Sequence, residues 1–257
     1  MHTELTLQLS AIFGFLLVLA RVSGVVAMVP IPGLTAGPDV SRVVLAVAVT
    51  VALLPVWPAP PIATPMPAQL IGWIGAEVAF GLTIGVAIAF LLEGLQMAAQ
   101  VIGLQAGYSF ASTIDPSTQA DTTTLQLMAQ LLAGSLFFAF GLDRQVIRVL
   151  ARGFQSIPPG SYSLNRPAAE VIARLGSGIF STGLRLALPV LALMILLDIA
   201  FAVLGRVQSQ LQLLSLAFAV KMLVALVFLA SVLSLYPAVF KQAAAATFSA
   251  LVRLLNY

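Results

Sequence analysis

The feature that most limits how this chain folds is a series of six long apolar runs with very few charged residues. Of its 257 residues, 60% are hydrophobic and 8% are charged, whereas soluble domains contain about 45–50% and 25%. Water cannot wet a folded surface of that composition, so we predict an all-α integral membrane protein that forms a single membrane domain over residues 1–257. The predicted runs are residues 5–29, 43–57, 70–92, 125–142, 179–201 and 213–236, arranged in broken hairpins, with an amphipathic or interfacial helix over 237–255.

Ionisable side chains interrupt these runs, although a membrane span needs about 20 mostly apolar residues. Each charge costs about 2.5–3.5 kcal/mol at the centre of a membrane helix, and buried charges are generally paired. We predict that Asp198 pairs with Lys221 and that Arg21 pairs with Glu77; the alternative is that each lines a water-filled cleft. Since Arg185 adds a fifth charge, neighbouring subunits are expected to shield these groups from lipid.

Positive charge is unevenly distributed between the runs. Residues 143–174 hold five arginines, whereas residues 93–121 hold neither lysine nor arginine. Because loops rich in these residues stay in the cytoplasm, a six-span arrangement places the Arg-rich loop 143–175 and both termini inside. We interpret these arginines as a membrane anchor rather than as a docking surface for cytosolic components.

The segment of residues 100–116 is polar, rich in glycine and free of cations, although it lies between two apolar runs. Such residues weaken a helix, and a membrane tolerates exposed backbone only where protein or trapped water covers it. We therefore predict a pore element or another functional site in this segment. The G-x-x-x-G patterns at Gly81–Gly85 and Gly103–Gly107 predict close helix packing, and Pro189 is expected to kink the fifth run.

The residue types needed for familiar catalytic sites are missing. The only histidine is His2 and there is no cysteine, so a serine nucleophile lacks an imidazole and thiolate metal ligands are absent. No phosphate-binding loop pattern occurs, and the net charge of +3 does not indicate nucleic-acid binding. We predict a non-enzymatic protein without a cofactor or catalytic residues. A small-solute secondary transporter remains the alternative, since such proteins also combine broken helices with midplane charges.

Several segments, in order and with matching spacing, resemble the FliR/SctT family of type III export-gate proteins. The most specific segment runs from Gln105 to Pro116 and ends in Asp115-Pro116, as the family pattern does. The chain departs from the family at Ala219, where a proline is common, and at Gln208-Ser209, where Ala-Pro is usual. Other matching residues are Arg21, Gly24, Pro30, Pro32, Gly33, Pro38, Arg42, Glu77, Gly81, Gly85, Glu93, Pro158, Pro159, Gly160, Leu186, Pro189, Asp198, Arg206, Gln210, Phe218 and Lys221.

The resemblance implies a structural subunit of a protein-export gate in the bacterial inner membrane, at the flagellar basal body or in a virulence system. It implies assembly with FliP-type, FliQ-type and FlhB-type subunits and passage of unfolded secreted proteins. It also implies that the loop at about residues 103–121 plugs the channel; the alternative is an ordinary extracytoplasmic loop. The plug residues are Gln105, Gly107, Ser109, Phe110, Ala111, Asp115 and Pro116.

Overall fold

The computed structural model describes residues 2–29, 39–58, 65–108, 124–163, 166–207 and 213–255. These ranges are helical and contain no β-strand, which confirms the predicted all-α class. Short 3-10 turns at Leu54–Val56 and Leu233–Leu235 join some of the helices. The α-helices are α1 (His2–Met28), α2 (Asp39–Ala52), α3 (Pro67–Ala106), α4 (Thr124–Ala139), α5 (Leu142–Ser156), α6 (Arg166–Val207), α7 (Leu213–Val232) and α8 (Tyr236–Leu255).

Four stretches within the described residues are long and apolar enough to cross a membrane, by length and composition. They are Ser10–Met28, Pro67–Ala106, Ala168–Arg206 and Ala217–Leu254, and α4 with α5 makes a fifth if this bent pair is one span. Six separate runs were predicted. The number falls because α2 has only 14 residues and because α4, with 16 residues, counts only together with α5 as a bent pair. The predicted interfacial helix over 237–255 joins the sixth run in one apolar stretch.

Helix α3 differs most from its prediction, since it has 40 residues and continues through Gly103 to Ala106. At 1.5 Å per residue it is about 60 Å long, roughly twice the thickness of a bilayer core. Burial of Ala98 and Ile102 stabilises this last part of the helix and offsets the cost of about 1 kcal/mol for an internal glycine. The helix ends at Gly107, whose φ of 88° is readily adopted only by glycine.

The Arg-rich stretch that we predicted to be a loop is largely helical. Helix α5 buries Val146, Leu150 and Phe154 on one face, a spacing that matches the helical period. Its exposed arginines recur every four residues on the other face, so they do not interrupt the apolar one. They are Arg144, Arg148 and Arg152. The fifth predicted run likewise extends to both sides in α6, which is continuous as a helix across Pro189.

Contacts divide the chain into two compact units, each built from segments that are distant in sequence. The first unit comprises Met1–Leu91, Phe137–Gly176 and Ala244–Tyr257, and the second comprises Leu92–Leu136 and Ser177–Ala243. In the first unit, α1 packs against α2 and also contacts α3. In the second unit, the C-terminal part of α3 contacts α6 and α7. Each unit contains one of the predicted charge pairs.

Candidate functional site

Helices α1 and α3 of the first unit touch backbone to backbone through glycines. A Cβ atom added to Gly81 would lie 2.0 Å from the carbonyl oxygen of Arg21, and one added to Gly24 would lie 2.7 Å from that of Val78. Gly85 continues the contact one turn later, as the G-x-x-x-G pattern predicts, since its added Cβ would be 2.8 Å from Met28. This close crossing sets Arg21 of α1 directly opposite α3.

Arg21 and Glu77 meet at this crossing, and both side chains are fully buried. Arg21 Nε donates to Glu77 Oε2 at 2.5 Å and Arg21 Nη2 donates to Oε1 at 3.1 Å, which is a bidentate geometry. The guanidinium carbon also lies 4.4 Å from the ring centre of Phe80 and 4.2 Å from that of Phe154. Two aromatic faces therefore stabilise the cation in addition to the carboxylate.

The same ion pair holds the turn that follows α5. Gly160 donates its backbone N–H to Glu77 Oε1 at 3.1 Å, and Arg21 Nη2 lies 3.4 Å from the carbonyl oxygen of Ile157. Gly160 has a φ of 78°, and an added Cβ would be 2.1 Å from the Trp73 ring. The pair thus fixes the Pro-Pro-Gly turn as well as the helix crossing, and no sequence pattern predicts that second contact.

A tyrosine just beyond the turn adds a polar contact to α3. The hydroxyl of Tyr162 lies 2.8 Å from the Thr83 hydroxyl, and its ring packs edge-on against Phe80 with centres 5.1 Å apart. Burial raises the pKa of the Tyr162 hydroxyl, although the hydrogen bond with Thr83 acts in the opposite direction. The hydroxyl is therefore neutral at physiological pH and can donate or accept in this contact.

The second predicted pair, Asp198 and Lys221, is in contact within the second unit. Lys221 Nζ binds Asp198 Oδ1, and the lysine side chain is only 13% exposed. A third residue joins them, since Gln105 Nε2 donates to Asp198 Oδ2 at 3.0 Å. The Asp198 carboxylate therefore links α3, α6 and α7.

The structure places the predicted plug residues only in part. Gln105 lies in the last turn of α3, and Gly107 follows the helix. Tyr108, which we did not single out, donates its hydroxyl proton to the carbonyl oxygen of Met222 at 2.9 Å. The other predicted plug residues lie outside the described residues; they are Ser109, Phe110, Ala111, Asp115 and Pro116.

The charge pairs bear on the expectation that neighbouring subunits shield these groups. We expected neighbouring subunits to shield the ionisable groups, yet four of the five groups meet a partner of opposite charge within the chain. Arg185 is the fifth and is exposed. The reason is that the helices bring charges from distant parts of the sequence together, which hydropathy along the chain does not reveal. Arg21 and Glu77 are enclosed within the chain, whereas the Asp198 side chain is 44% exposed, so cover by neighbouring subunits stays a prediction for Asp198 and Arg185.

Comparison with known proteins gives a consistent result over most of the chain. Residues 12–247 match the family model described as bacterial export proteins, family 1. The flagellar biosynthetic protein FliR of Escherichia coli K12 is 29% identical over 218 residues, which cover 84% of this chain and 83% of that protein. Proteins of the same name from Caulobacter vibrioides and Bacillus subtilis are 28% and 24% identical and cover 85% and 84% of this chain, with 87% and 84% of their own lengths aligned.

Proposed function

Because the chain belongs to family 1 of the bacterial export proteins, we propose that it is a structural subunit of the membrane gate through which unfolded flagellar proteins are exported. The family match over residues 12–247 is the observation that carries this proposal. The relatives named as flagellar biosynthetic proteins favour a flagellar system over a virulence system. As a family member the chain is a structural component of export and not an enzyme.

The described residues agree with a structural role. Arg21 and Glu77 are fully buried and bonded to each other and to backbone. An ion pair so completely enclosed is unsuited to binding a solute, and it stabilises one arrangement of α1, α3 and the turn after α5.

The two compact units do not follow the consecutive order of the repeats that are common in secondary transporters. Transporters of that kind are commonly built from two repeats that lie one after the other in the sequence. Here both units are interleaved, because the second unit includes Leu92–Leu136, between two segments of the first. The units therefore do not correspond to consecutive halves of the chain.

We propose that the chain works in the bacterial inner membrane, at the flagellar basal body, together with FliP-type, FliQ-type and FlhB-type subunits. Family membership is the support for these partners. Exposed apolar side chains on α6 and α7 provide surface for such contacts or for lipid, and they include Leu188, Ile195, Leu223 and Val227. The exposed arginines of α5 are proposed to lie on the cytoplasmic side, following the usual distribution of positive charge.

We also propose that the loop at about residues 103–121 plugs the channel until substrate passes. The support is its composition, since it holds Asp115 and Asp121 but no lysine or arginine, together with the family resemblance of residues 105–116. A polar segment without cations suits a seal that opens for unfolded substrate chains. Asp198 and Lys221 are proposed to stabilise the subunit from which it extends.

Co-expression tests the proposed function directly. A tagged chain would be produced with FliP-type and FliQ-type subunits, solubilised in mild detergent and analysed by native mass spectrometry. We expect a hetero-oligomer that contains all three proteins, and the same result for Lys241→Ala, a change at an exposed position. Recovery of the chain only as a folded monomer, while both partners accumulate in the same cells, would contradict the proposal.

A further inference from the structure

The last turn of α3 is fastened to α6 and α7 by a compact set of contacts in the second unit. From these contacts we infer that Asp198 is a positioning residue that fixes the point where the chain leaves α3. Its relevance to export rests on the proposed function, because the segment that follows Tyr108 contains most of the proposed plug. The inference about the contacts themselves does not depend on that function.

Asp198 is suited to this role because its two carboxylate oxygens serve different helices. Oδ1 binds Lys221 Nζ of α7, and Oδ2 accepts a hydrogen bond of 3.0 Å from Gln105 Nε2 of α3. An ionised carboxylate only accepts hydrogen bonds, and it has capacity for both partners at once. One side chain of α6 therefore links the other two helices.

Two further contacts at the end of α3 reach the same turn of α7. The Tyr108 hydroxyl donates to the carbonyl oxygen of Met222 at 2.9 Å. Gly107 packs against Phe218, since an added Cβ would lie 3.0 Å from the ring carbon Cδ1. Lys221 and Met222 follow Phe218 by three and four residues, so one stretch of α7 contacts the end of α3.

The backbone at the end of α3 is shaped to present these side chains. The N–H of Gly107 donates to the carbonyl oxygen of Leu104 at 3.3 Å, and the N–H of Tyr108 donates to that of Gly103 at 2.9 Å. This pair of bonds, with the positive φ of Gly107, is a Schellman motif that closes the helix. The chain thus turns at Gly107, which places Tyr108 beside α7.

It follows that Gln105 and Gly107 form the fixed base from which the following loop extends. We assigned both residues to the plug from the sequence, because they share its glycine-rich and amide-rich composition. In the structure these two residues contact Asp198 and Phe218 at the end of α3. In this arrangement Lys221 neutralises the Asp198 carboxylate, and the second oxygen of that carboxylate anchors Gln105.

Hydrogen exchange of the last α3 turn, measured on the purified full-length chain, tests this role. Gln105→Ala removes the anchor and leaves the Asp198–Lys221 pair intact. We expect the amides of residues 105–108 to exchange about tenfold faster, the effect of losing one ordinary hydrogen bond. Gln96→Ala is the matched control, because Gln96 bonds to Glu93 on the same helix at 3.2 Å; it should leave exchange at 105–108 unchanged.

A double variant tests whether the effect of Gln105→Ala acts through Asp198 or through a general loss of stability. The variant Asp198→Ala/Lys221→Met removes both charges, so no unpaired lysine remains. If Asp198 is the anchor point, adding Gln105→Ala to this background should not accelerate exchange any further. Equal acceleration of tenfold in both backgrounds would overturn the inference, as would wild-type exchange in the Gln105→Ala chain. Neither readout requires partner subunits, so a failed assembly experiment would leave this test intact.

Discussion

Replacing Glu77 with leucine removes the carboxylate that binds Arg21 and leaves a guanidinium with a fully buried side chain unpaired. Removing one member of a buried ion pair costs about 3–5 kcal/mol, because the remaining charge stays without compensation. The N–H of Gly160 also loses its acceptor, which adds about 1 kcal/mol. Arg21→Leu is expected to cost a similar amount, since it leaves the carboxylate buried and removes the cation between Phe80 and Phe154.

The double variant Arg21→Leu/Glu77→Leu distinguishes this reasoning from simple loss of packing. Replacing both members of a buried pair by apolar residues is often close to neutral. What remains is the loss of the hydrogen bonds to Ile157 and Gly160, about 1–3 kcal/mol together. Each single variant is expected to lose about 3–5 kcal/mol of stability. If the two losses were independent they would add; we expect the double variant to be at least about 3 kcal/mol more stable than that sum.

Thermal unfolding of the purified full-length chain, followed by tryptophan fluorescence, is a suitable assay, because the whole signal then comes from this chain. The chain contains two tryptophans, Trp57 and Trp73, and Trp73 lies against the Gly160 turn that the ion pair holds. A Trp57→Phe background therefore reports on the turn itself. Each single leucine variant should lower the Tm by on the order of 10 °C, taking about 2–4 °C per kcal/mol for a chain of this size.

The exposed pair of Arg166 and Glu170 supplies the matched control. Their side chains are 91% and 53% exposed, and such pairs contribute about 0–1 kcal/mol. Glu170→Leu should thus shift the Tm by no more than a few degrees. Two results would refute the argument that burial and pairing make Arg21 and Glu77 interdependent. One is a loss of stability in the double variant that equals the sum of the single losses, and the other is an equally large effect of Glu170→Leu.

Three further predictions concern the helix crossing, the second charge pair and the proposed plug. Gly81→Ala should prevent accumulation of the complex, because its Cβ would lie 2.0 Å from a backbone oxygen of α1, which is 1.4 Å short of an ordinary 3.4 Å contact. Gly72→Ala is the control, since nothing lies within 4 Å of its added Cβ. On an immunoblot, Gly72→Ala should accumulate normally. Asp198→Ala and Lys221→Ala should each reduce accumulation, since either change leaves one charge of the pair alone; wild-type amounts of both would exclude a stabilising pair. Deleting residues 109–114 should leave the purified assembly intact but raise ion conductance across the membrane, and an unchanged conductance would argue against a plug in this loop.

The local properties of the sequence were sufficient for the class of the protein and for many of its elements. Apolar runs with few charges predict membrane helices whatever their neighbours are, because each residue makes its own contribution to the free energy of placing the segment in lipid. The G-x-x-x-G pattern at Gly81–Gly85 likewise predicted a close helix contact, since small residues permit one wherever two helices meet. The order of motifs along the chain indicated the export-protein family.

The tertiary structure decided which residues meet and where helices end. Helix α3 continues through Gly103 because its far end is buried, and burial depends on residues such as those of α7, more than 100 positions away. For the same reason, no local pattern links Gly160 to Glu77 or Gln105 to Asp198. The sequence determined that this protein is helical, belongs in a membrane and carries charges that need partners. Only the folding of distant segments onto one another determined that the partners lie within the chain, because an ion pair depends on distance in space and not on separation along the sequence.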